Sequence, residues 1–583
     1  MIAENEVSNN RRNSIAPLFG RRDFTRRTVL GAGGAALAGL AVSLAASSKD
    51  TTALRSDDTD HLQGLADRGD FFLAKREQPY VISRSIRIPA KRQIRFDEGV
   101  EIRYMGTPGT FVELACAFLI EGDGVSLVGE GRGAVINCDR PSAFVYAVRA
   151  NAVTNLLVEK LWANNCQLIF VGGADTAYSK ILTSGLGANI SRRIRIVGGG
   201  AKFDTPIPLT HGACVLSYAF DWSVADCTFA NVAHGVQWWG GNANPHTHLG
   251  GDGARSNERK CRNFHIRNVT VTGASGGGVW GSMGQHGRIE ACTVKDCGDL
   301  GFDAEGSTSI VFSECRSEDG ANGCFATFFA CDDVQFVNCI GLASKRSYPL
   351  FRIYNETLSN VDNDRITITG GRFICQDYSG PGTFDTAMGP AGHLTIEGAE
   401  FNNVRIDTAF HNMHRTVIRN NRLVFPRVTV PFTAIRAGHS KSRPPTHASG
   451  GAIISGNNID FGIDRLKSEG QIPNRPSIIA IELIEDDFNS SPVSVVENNH
   501  VHGDFGTFLI FKNASRNNGI TPQLSLTGNV LPDEFSTERF LKLIPSPSTH
   551  VFPVADCKDN RLSNGRPFPI ESGVTCPTQS RSN

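Results

Sequence analysis

Two carboxylates stand two residues apart in the segment Phe302-Asp303-Ala304-Glu305. Side chains alternate between the two faces of a β-strand, so a strand here would project Asp303 and Glu305 from one face. Repulsion between neighbouring carboxylates favours one protonated and one ionised group, which can serve as acid and base. Hydrolysis of a glycosidic bond uses such a pair. Asp303 and Glu305 are therefore candidate catalytic residues.

Four other segments share this pattern, with apolar or small residues at the first and third positions and varied chemistry at the second and fourth. They are Val236-Gln237-Trp238-Trp239, Val279-Trp280-Gly281-Ser282, Phe325-Ala326-Thr327-Phe328 and Phe351-Arg352-Ile353-Tyr354. If the segments stack, their varied positions form two rows on one outward face. The first row is Gln237, Trp280, Asp303, Ala326, Arg352 and a further Asp385; the second is Trp239, Ser282, Glu305, Phe328 and Tyr354. We expect exposed Trp239, Trp280 and Tyr354 to stack on sugar rings, with Gln237 and Asp385 also contacting substrate.

Arg352 supports a competing chemistry. Elimination from a uronate-containing polysaccharide needs a base and a cation to stabilise the developing charge. Arg352 with Tyr354 would serve, and Asp303 with Glu305 would then be able to hold Ca²⁺. The sequence has no Asp-rich calcium run, so no cofactor is expected for a hydrolase and Ca²⁺ only for a lyase.

Histidines supply further candidates beside this face. A polar segment from residue 240 to about residue 260 holds His246, His248 and Asp252, for which we favour substrate contact over a metal site. His286 lies in Met283-Gly284-Gln285-His286-Gly287 and is interpreted as a turn residue that could act as an acid or base. The glycine-rich segment 273–278 opens no predicted helix and indicates a turn rather than a nucleotide site.

A repeat of about 23 residues positions these candidates. The anchors Val269, Cys292, Cys315 and Cys339 are 23, 23 and 24 residues apart, and Cys227 precedes them by one coil plus an insertion. A unit this short cannot bury its apolar face alone, whereas stacked coils can. A β-propeller or β-sandwich is disfavoured because propeller blades repeat at 40 or more residues. The pattern predicts an all-β, single-stranded parallel β-helix.

The stacked coils resemble the pectate-lyase-like right-handed parallel β-helix superfamily, which includes polysaccharide lyases, polygalacturonase-like hydrolases and tailspike depolymerases. The resemblance lies in the architecture of residues 60 to 535, and the Asn-Thr-Asp and Gly-His-Gly motifs of the polygalacturonases are absent. It implies a carbohydrate-active protein but transfers no catalytic residue. We expect an N-terminal cap and helix entry at 47–105, a β-helix at 106–535 and a C-terminal cap or tail at 536–583.

The first 46 residues are typical of an export signal. Arg21-Arg22-Asp23-Phe24 resembles the twin-arginine motif of bacterial export, and an uncharged Ala/Gly-rich run follows from Val29 to Ala46. This segment predicts a periplasmic or secreted protein with no stable membrane insertion after cleavage.

Fifteen cysteines would normally suggest disulfides in an exported protein, but their count is odd and several recur at the coil period. We therefore predict stacked, buried, reduced thiols at Cys292, Cys315 and Cys339. Cys557 and Cys576 remain the favoured disulfide pair.

Charge constrains the partners. The 58 basic and 58 acidic residues balance, which gives no electrostatic reason to expect nucleic acid. A polysaccharide is the expected partner of a monomer or homotrimer. Cleavage by hydrolysis is slightly favoured over elimination, and a non-catalytic glycan-binding protein is the alternative class.

The export hypothesis gives a direct test. Replacing Arg21-Arg22 by Lys-Lys should leave the precursor in the cytoplasm, because the twin-arginine receptor recognises the guanidinium pair. Cell fractionation and immunoblotting measure the outcome. Arg26-Arg27 should be replaced in parallel because this second pair can substitute for the first; unchanged export of the combined variant would rule out the twin-arginine hypothesis.

Overall fold

The computed structural model describes residues 57–110, 113–172, 190–241, 243, 261–354, 363–385, 391–408, 413–427, 430–438, 451–462, 478–485, 493–513, 523–545 and 554–568. These residues contain one α-helix, Thr59–Arg68, one short 3-10 helix, Thr537–Arg539, and many short strands. Within the described part of the chain, no helix is long and apolar enough to cross a membrane.

The strands form three sheets, and each coil contributes one strand to each sheet in turn. Sheet 1 contains Phe71–Leu73, Gln93–Phe96, Ser126–Gly129, Thr154–Glu159, Ser191–Val197, Ala219–Ala225, Cys261–Arg267, Gly284–Glu290, Thr308–Ser313, Asp332–Val337, Asp364–Thr369, Ala391–Glu397, Met413–Arg419, Ala452–Ser455, Val493–Glu497, Gln523–Thr527 and Val554–Lys558. Sheet 2 contains Tyr80–Ile82, Glu101–Tyr104, Ala134–Cys138, Leu161–Asn164, Gly200–Lys202, Thr228–Ala230, Thr270–Thr272, Thr293–Lys295, Arg316–Glu318, Ile340–Ala343, Arg372–Cys375, Glu400–Asn402, Arg422–Phe425, Asn458–Phe461, His500–Gly503, Val530–Leu531 and Arg561–Leu562. Sheet 3 contains Ile86–Ile88, Ala115–Ile120, Val145–Asn151, Gln167–Gly172, Cys214–Ser217, Val236–Trp239, Val279–Ser282, Leu300–Glu305, Gly323–Phe328, Phe351–Tyr354, Gly382–Asp385, Val404–Asp407, Phe432–Gly438, Ile478–Glu485, Thr507–Asn513 and Leu541–Ile544.

Every strand pairs in parallel with the equivalent strand of the next coil. Thr270–Thr272, for example, pairs with Thr228–Ala230 on one side and Thr293–Lys295 on the other. Stacked coils therefore satisfy the backbone hydrogen bonds that a single coil leaves open. The chain folds as a right-handed parallel β-helix, which confirms the fold predicted from the repeat.

From Gly198 onward, the corner between sheet 1 and sheet 2 has the same two-residue form in each described coil. One residue adopts a left-handed conformation, as at Ala291 (φ 51°), Glu314 (φ 54°) and Asn338 (φ 52°), and the next residue points inward. In the later coils the left-handed position is Asn420 or Asn498 (φ 56° and 53°) or a glycine. Asn and Gly tolerate this conformation better than other residues, which explains the Asn-rich turns of the sequence.

The inward residue of this corner donates a hydrogen bond to the preceding coil. The thiols of Cys292, Cys315 and Cys339 lie 3.8, 3.6 and 3.5 Å from the carbonyl oxygens of Ile266, Ile289 and Phe312. These three cysteines are buried and free, which confirms the predicted stack of reduced thiols. Cys557 is also a buried thiol with no disulfide in the described part of the chain, and Cys576 lies outside it.

In the C-terminal coils, asparagine occupies the same column. Asn457 Nδ2 donates to the carbonyl oxygen of Ile418 (2.9 Å) and to Oδ1 of Asn499 (2.9 Å), while its own Oδ1 accepts from the backbone N–H and the Nδ2 of Asn421. The same bonds continue from Asn499 through Asn529 to Asn560. Cysteine and asparagine thus perform one structural task at different levels of the solenoid.

Phenylalanine stacks fill the interior between the sheets. Phe302 stacks on Phe325 with ring centroids 5.4 Å apart, and Phe351 stacks on Phe384 at 4.7 Å. Because these residues point inward, the alternate positions of the same sheet 3 strands must point outward.

The strands of the β-helix run from Phe71 to Leu562 in the described part of the chain. The first strand starts at Phe71, within the segment assigned to the cap and helix entry, and the helix Thr59–Arg68 covers the open end with Leu62 and Ala66. Gln63 exchanges hydrogen bonds with the backbone of Arg87 and so pairs the exposed edge of sheet 3. Coils continue to Leu562, beyond the expected boundary at 535.

The asparagine column predicts a measurable stability difference. Asn457→Ala removes four hydrogen bonds and leaves the buried backbone N–H of Asn421 without its acceptor. It should therefore lower the free energy of unfolding by about 2 kcal/mol or more. Asn458→Ala, at the exposed neighbouring position, should change it by about 0.5 kcal/mol or less. Urea denaturation followed by circular dichroism measures both; equal losses would show that the column is not stabilising.

Candidate functional site

The outer face of sheet 3 carries the predicted rows in the predicted register. Trp280 pairs with Gln237 on one side and Asp303 on the other, and Ala326 pairs with Asp303 and Arg352. In the second row, Ser282 pairs with Trp239 and Glu305, and Phe328 pairs with Glu305 and Tyr354. Sequence spacing thus placed these strands correctly.

Asp303 and Glu305 project from one strand on the side away from the core. Their neighbours Phe302 and Ala304 belong to the main core and are fully buried. Asp303 is only 3% exposed, whereas Glu305 is half-buried. Asp303 is therefore shielded from solvent, because the outer face at this level is itself covered.

The two tryptophans do not form an exposed platform, which corrects the sequence-based expectation. Trp239 and Trp280 are 9% and 6% exposed and pack with Tyr218 in a small apolar cluster outside the sheet. A second cluster covers the next coils, with Met283, Leu300, Ala326 and Phe328 among its members. The described part of sheet 3 thus bears a second packed layer in these coils.

The chain segment that precedes the sheet 3 strand Cys214–Ser217 contributes to this layer. Leu209 lies against the turn at Gly276, where an added Cβ would be 2.6 Å from Leu209 Cδ1 and 2.3 Å from His234 Cε1. The backbone N–H of Gly212 donates to Gln237 Oε1 at 2.9 Å, so this candidate contact residue holds the covering segment instead of exposing its amide. Gln237 is 3% exposed, which contradicts its expected outward exposure.

His234 is a site residue that sequence reasoning missed. Its ring lies beside Trp280, with centroids 5.2 Å apart, and its Nδ1 accepts a hydrogen bond from the backbone N–H of Gly277 at 2.7 Å. Burial lowers the pKa of His234 to about 4, although Asp299 nearby opposes the shift and His211 adds to it. The ring is therefore neutral at pH 7 and carries its proton on Nε2. Its position two residues before the strand Val236–Trp239 was the available signal.

Near Asp303, three buried nitrogen donors on this face have no acceptor among the described residues. They are Nε2 of His234, Nε1 of Trp280 and Nε of Arg352. A buried donor without a partner costs about 1–3 kcal/mol, so such groups ordinarily meet water or a ligand. Trp280 is in register with Asp303, and Arg352 follows two coils further along the same row.

Charged residues continue the row toward the C-terminus. Asp385 pairs with Arg352 and with Asp407 in the backbone register, and Asp407 pairs with Arg436. The Arg436 guanidinium lies 3.7 Å from Asp407 and 3.1 Å from Glu482, which also pairs with Lys512. The side chains of Asp385 and Tyr354 lie outside the described set.

Of the predicted histidines, the structure describes His286, which does not join this site. His286 belongs to the sheet 1 strand Gly284–Glu290, is exposed and has φ 54°. It does not occupy the predicted turn because the corner after Ser282 consists of Met283 alone, so the following residues already belong to the next sheet. His246, His248 and Asp252 lie outside the described residues.

The part of the chain that the structure describes contains no group of three or more His, Cys, Asp or Glu residues that could hold a metal ion. Asp303 and Glu305 provide two carboxylates, but Ca²⁺ takes six to eight oxygen ligands. These two residues alone do not fit a protein-built calcium site.

Comparison with known proteins agrees with the fold. The family model of the right handed beta helix region matches residues 213–347, and no curated protein sequence matches the chain. Similar solved structures include tailspike protein 3 of bacteriophage CBA120, with 14% identity, a TM-score of 0.37 and coverage of 69% of this chain and 64% of that chain. This chain thus spans less than two thirds of that tailspike. Another is an α-1,3-glucanase catalytic unit from Streptomyces thermodiastaticus, with 10% identity, a TM-score of 0.35 and coverage of 87% and 66%.

The environment of His234 predicts a pH dependence of stability. The folded state keeps this histidine neutral down to about pH 4, whereas an unfolded histidine titrates near 6.5. The unfolded state therefore binds the extra proton between these values, and the stability associated with neutral His234 is lost as pH falls from about 6.5 toward 4.

His234→Gln removes this titration while its amide oxygen can still accept from Gly277. Unfolding free energies of both proteins should be measured by urea denaturation at several pH values. We expect their difference to change by up to about 1.4 kcal/mol per pH unit in this window. A difference that stays constant with pH would show that His234 is not held neutral.

Proposed function

We propose that this right-handed parallel β-helix is a carbohydrate-active enzyme that cleaves a polysaccharide at the outer face of sheet 3. Asp303 and Glu305 are the proposed acid–base pair. Trp280, His234 and Arg352 are proposed to bind the sugar chain around them.

The single observation that carries the proposal is the group of unmatched donors beside Asp303. His234, Trp280 and Arg352 each hold a buried N–H with no described acceptor on the face that displays the carboxylates. The hydroxyl, ring and carboxyl oxygens of a sugar are suitable acceptors for such donors. A partly closed, low-dielectric setting also strengthens these hydrogen bonds and the charges they stabilise.

The spacing of the two carboxylates supports hydrolysis. Side chains two residues apart leave the same face of a strand at backbone positions about 6.6 Å apart. Inverting glycosidases hold their carboxyls about 6.5–9.5 Å apart, because a water molecule must fit between the base and the sugar. In this mechanism the buried Asp303 protonates the leaving oxygen, and the more accessible Glu305 activates the water. The proposed reaction therefore inverts the anomeric configuration.

Elimination is the alternative that Arg352 favours. Its guanidinium is half-buried on the same row, two coils from Asp303, where it can pair with the carboxylate of a uronate residue. A base on this face would then remove the adjacent proton, while Arg352 stabilises the negative charge that develops. The two mechanisms give different products from the same substrate.

Export by the twin-arginine pathway to the periplasm or the cell exterior remains a proposal of its own. It is supported by Arg21-Arg22-Asp23-Phe24 and the uncharged run that follows, both of which lie outside the described residues.

Asp303→Asn and Glu305→Gln test the acid–base assignment. Each variant keeps the shape of the side chain and should lower cleavage by about 10²–10⁴-fold, as expected for loss of a general acid or base. The mature protein should be incubated with a panel of neutral and acidic polysaccharides. Reducing ends report cleavage, while ultraviolet absorbance of an unsaturated product identifies elimination.

Arg352→Ala and Glu314→Gln complete the test. Arg352→Ala should mainly raise KM for an acidic substrate in a hydrolase and abolish turnover in a lyase. Glu314→Gln makes the same carboxylate-to-amide change at an exposed corner between sheets 1 and 2 and should leave activity unchanged. Full activity of folded Asp303→Asn and Glu305→Gln would refute the assignment; glycan binding without cleavage by the unmodified protein would favour the non-catalytic class.

A further inference from the structure

A groove of about 760 Å³ lies on the outer face of sheet 1, away from the candidate catalytic face. It spans six successive strands, from Ser126–Gly129 to Gly284–Glu290, so its long axis follows the axis of the β-helix. Nothing in the proposed cleavage reaction uses this surface.

A line of left-handed residues shapes the groove. Asn155, Arg193, Asp221, Asn263 and His286 have φ between 53° and 60° and occupy the same position in successive strands. Each inserts an extra outward residue, as in the exposed pair Arg192–Arg193, and this irregularity bends the strand as a β-bulge does. The bends align from coil to coil, which forms a continuous depression.

Positive charge dominates the lining. Arg193 and Arg195 are exposed, and neither forms an ion pair with any described residue. Among the described residues that line the groove, Asp221 is the one acidic side chain, and its Oδ1 accepts from Asn263 Nδ2 at 2.9 Å. An arginine guanidinium recognises a carboxylate through two parallel hydrogen bonds.

The lining also suits the uncharged parts of a sugar chain. Small Ser223 lies in register between Arg195 and His265, which leaves room between the larger side chains, and half-buried Leu157 forms an apolar patch. Next to the groove, half-buried Phe220 lies between Arg192 and Arg262, whose guanidinium carbons are 4.9 and 5.2 Å from the ring centre. Arginine, amide and apolar side chains thus lie on neighbouring coils, which are about 4.8 Å apart.

We propose that this groove is a second binding site, which holds a carboxylate-bearing polysaccharide along sheet 1. An extended chain can meet Arg193 and Arg195 with its carboxylates and the polar residues of the following coils with its hydroxyls. A small anion would occupy one point of the depression and leave the rest unfilled. Binding here does not require cleavage at sheet 3.

The test uses substitutions that the neighbouring coils already contain. Arg193→Asn/Arg195→Ser introduces the residues found in register at Asn155 and Ser223, so the backbone conformation is preserved. The matched control is Arg419→Asn/Arg422→Ser, which removes the same charges from exposed positions outside the groove and its line of left-handed residues. Both pairs are made in the Asp303→Asn protein so that the ligand stays intact.

Isothermal titration with polygalacturonate oligomers measures binding, with dextran as the neutral comparison. We expect the groove variant to weaken polygalacturonate binding by about tenfold or more, and the control by less than about twofold. Affinity should fall as salt is raised, and dextran should bind weakly to every variant.

Equal losses in the groove and control variants would overturn the proposal and indicate attraction by overall charge. The proposal would also be overturned if inorganic phosphate displaced the oligomers completely and bound the groove as tightly as they do, because a small anion would then be the ligand. Loss of cleavage in Asp303→Asn with unchanged groove binding distinguishes this site from the catalytic one, so failure of either proposal is recognised separately.

Discussion

The corner between sheets 1 and 2 is the constraint on which the other features depend. From Gly198 onward it contains one left-handed residue and one inward residue, and where the inward residue is Cys292 or Asn457, for example, its side chain bonds to the preceding coil. This pairing fixes the direction of the chain as it enters sheet 2 and the height of each coil above the last. Because the corner has the same length in these successive coils, the strands of all three sheets stay in register, and rows of side chains form along the axis.

Register determines the chemistry available on each outer face. On sheet 3 it brings the carboxylates of one strand beside an indole from the coil before and a guanidinium from two coils after. The layer that covers this face buries Asp303 and Trp280 and leaves several donors without acceptors among the described residues. On sheet 1, the repeated left-handed position instead opens the surface and leaves arginines exposed. The same solenoid therefore has one covered face, for which we propose catalysis, and one open face, for which we propose binding.

The sequence predicted the parts of the structure that repeat. Cys292, Cys315 and Cys339 recur at a constant interval, and that interval fixed both the coil and the alignment of Asp303 with Trp280 and Arg352. It did not predict the burial of Trp239 and Trp280, because these side chains pack with Tyr218 in a cluster outside the sheet, and no periodic pattern in the sequence signals that cluster. His234 was missed for the same reason, since it lies in a turn and its environment is created by residues distant in sequence.

The three corners of a coil differ in how much length they tolerate, and this difference has an evolutionary consequence. The corner after sheet 1 cannot accept an added residue without breaking the column of Cys and Asn side chains. The connection from a sheet 3 strand to the next sheet 1 strand varies in length, from the single residue Met283 to residues 240–260. Insertions and deletions in descendants of this chain should therefore accumulate beside sheet 3. New specificities would arise at that edge by exchange of loops, while the opposite edge of the solenoid keeps its length.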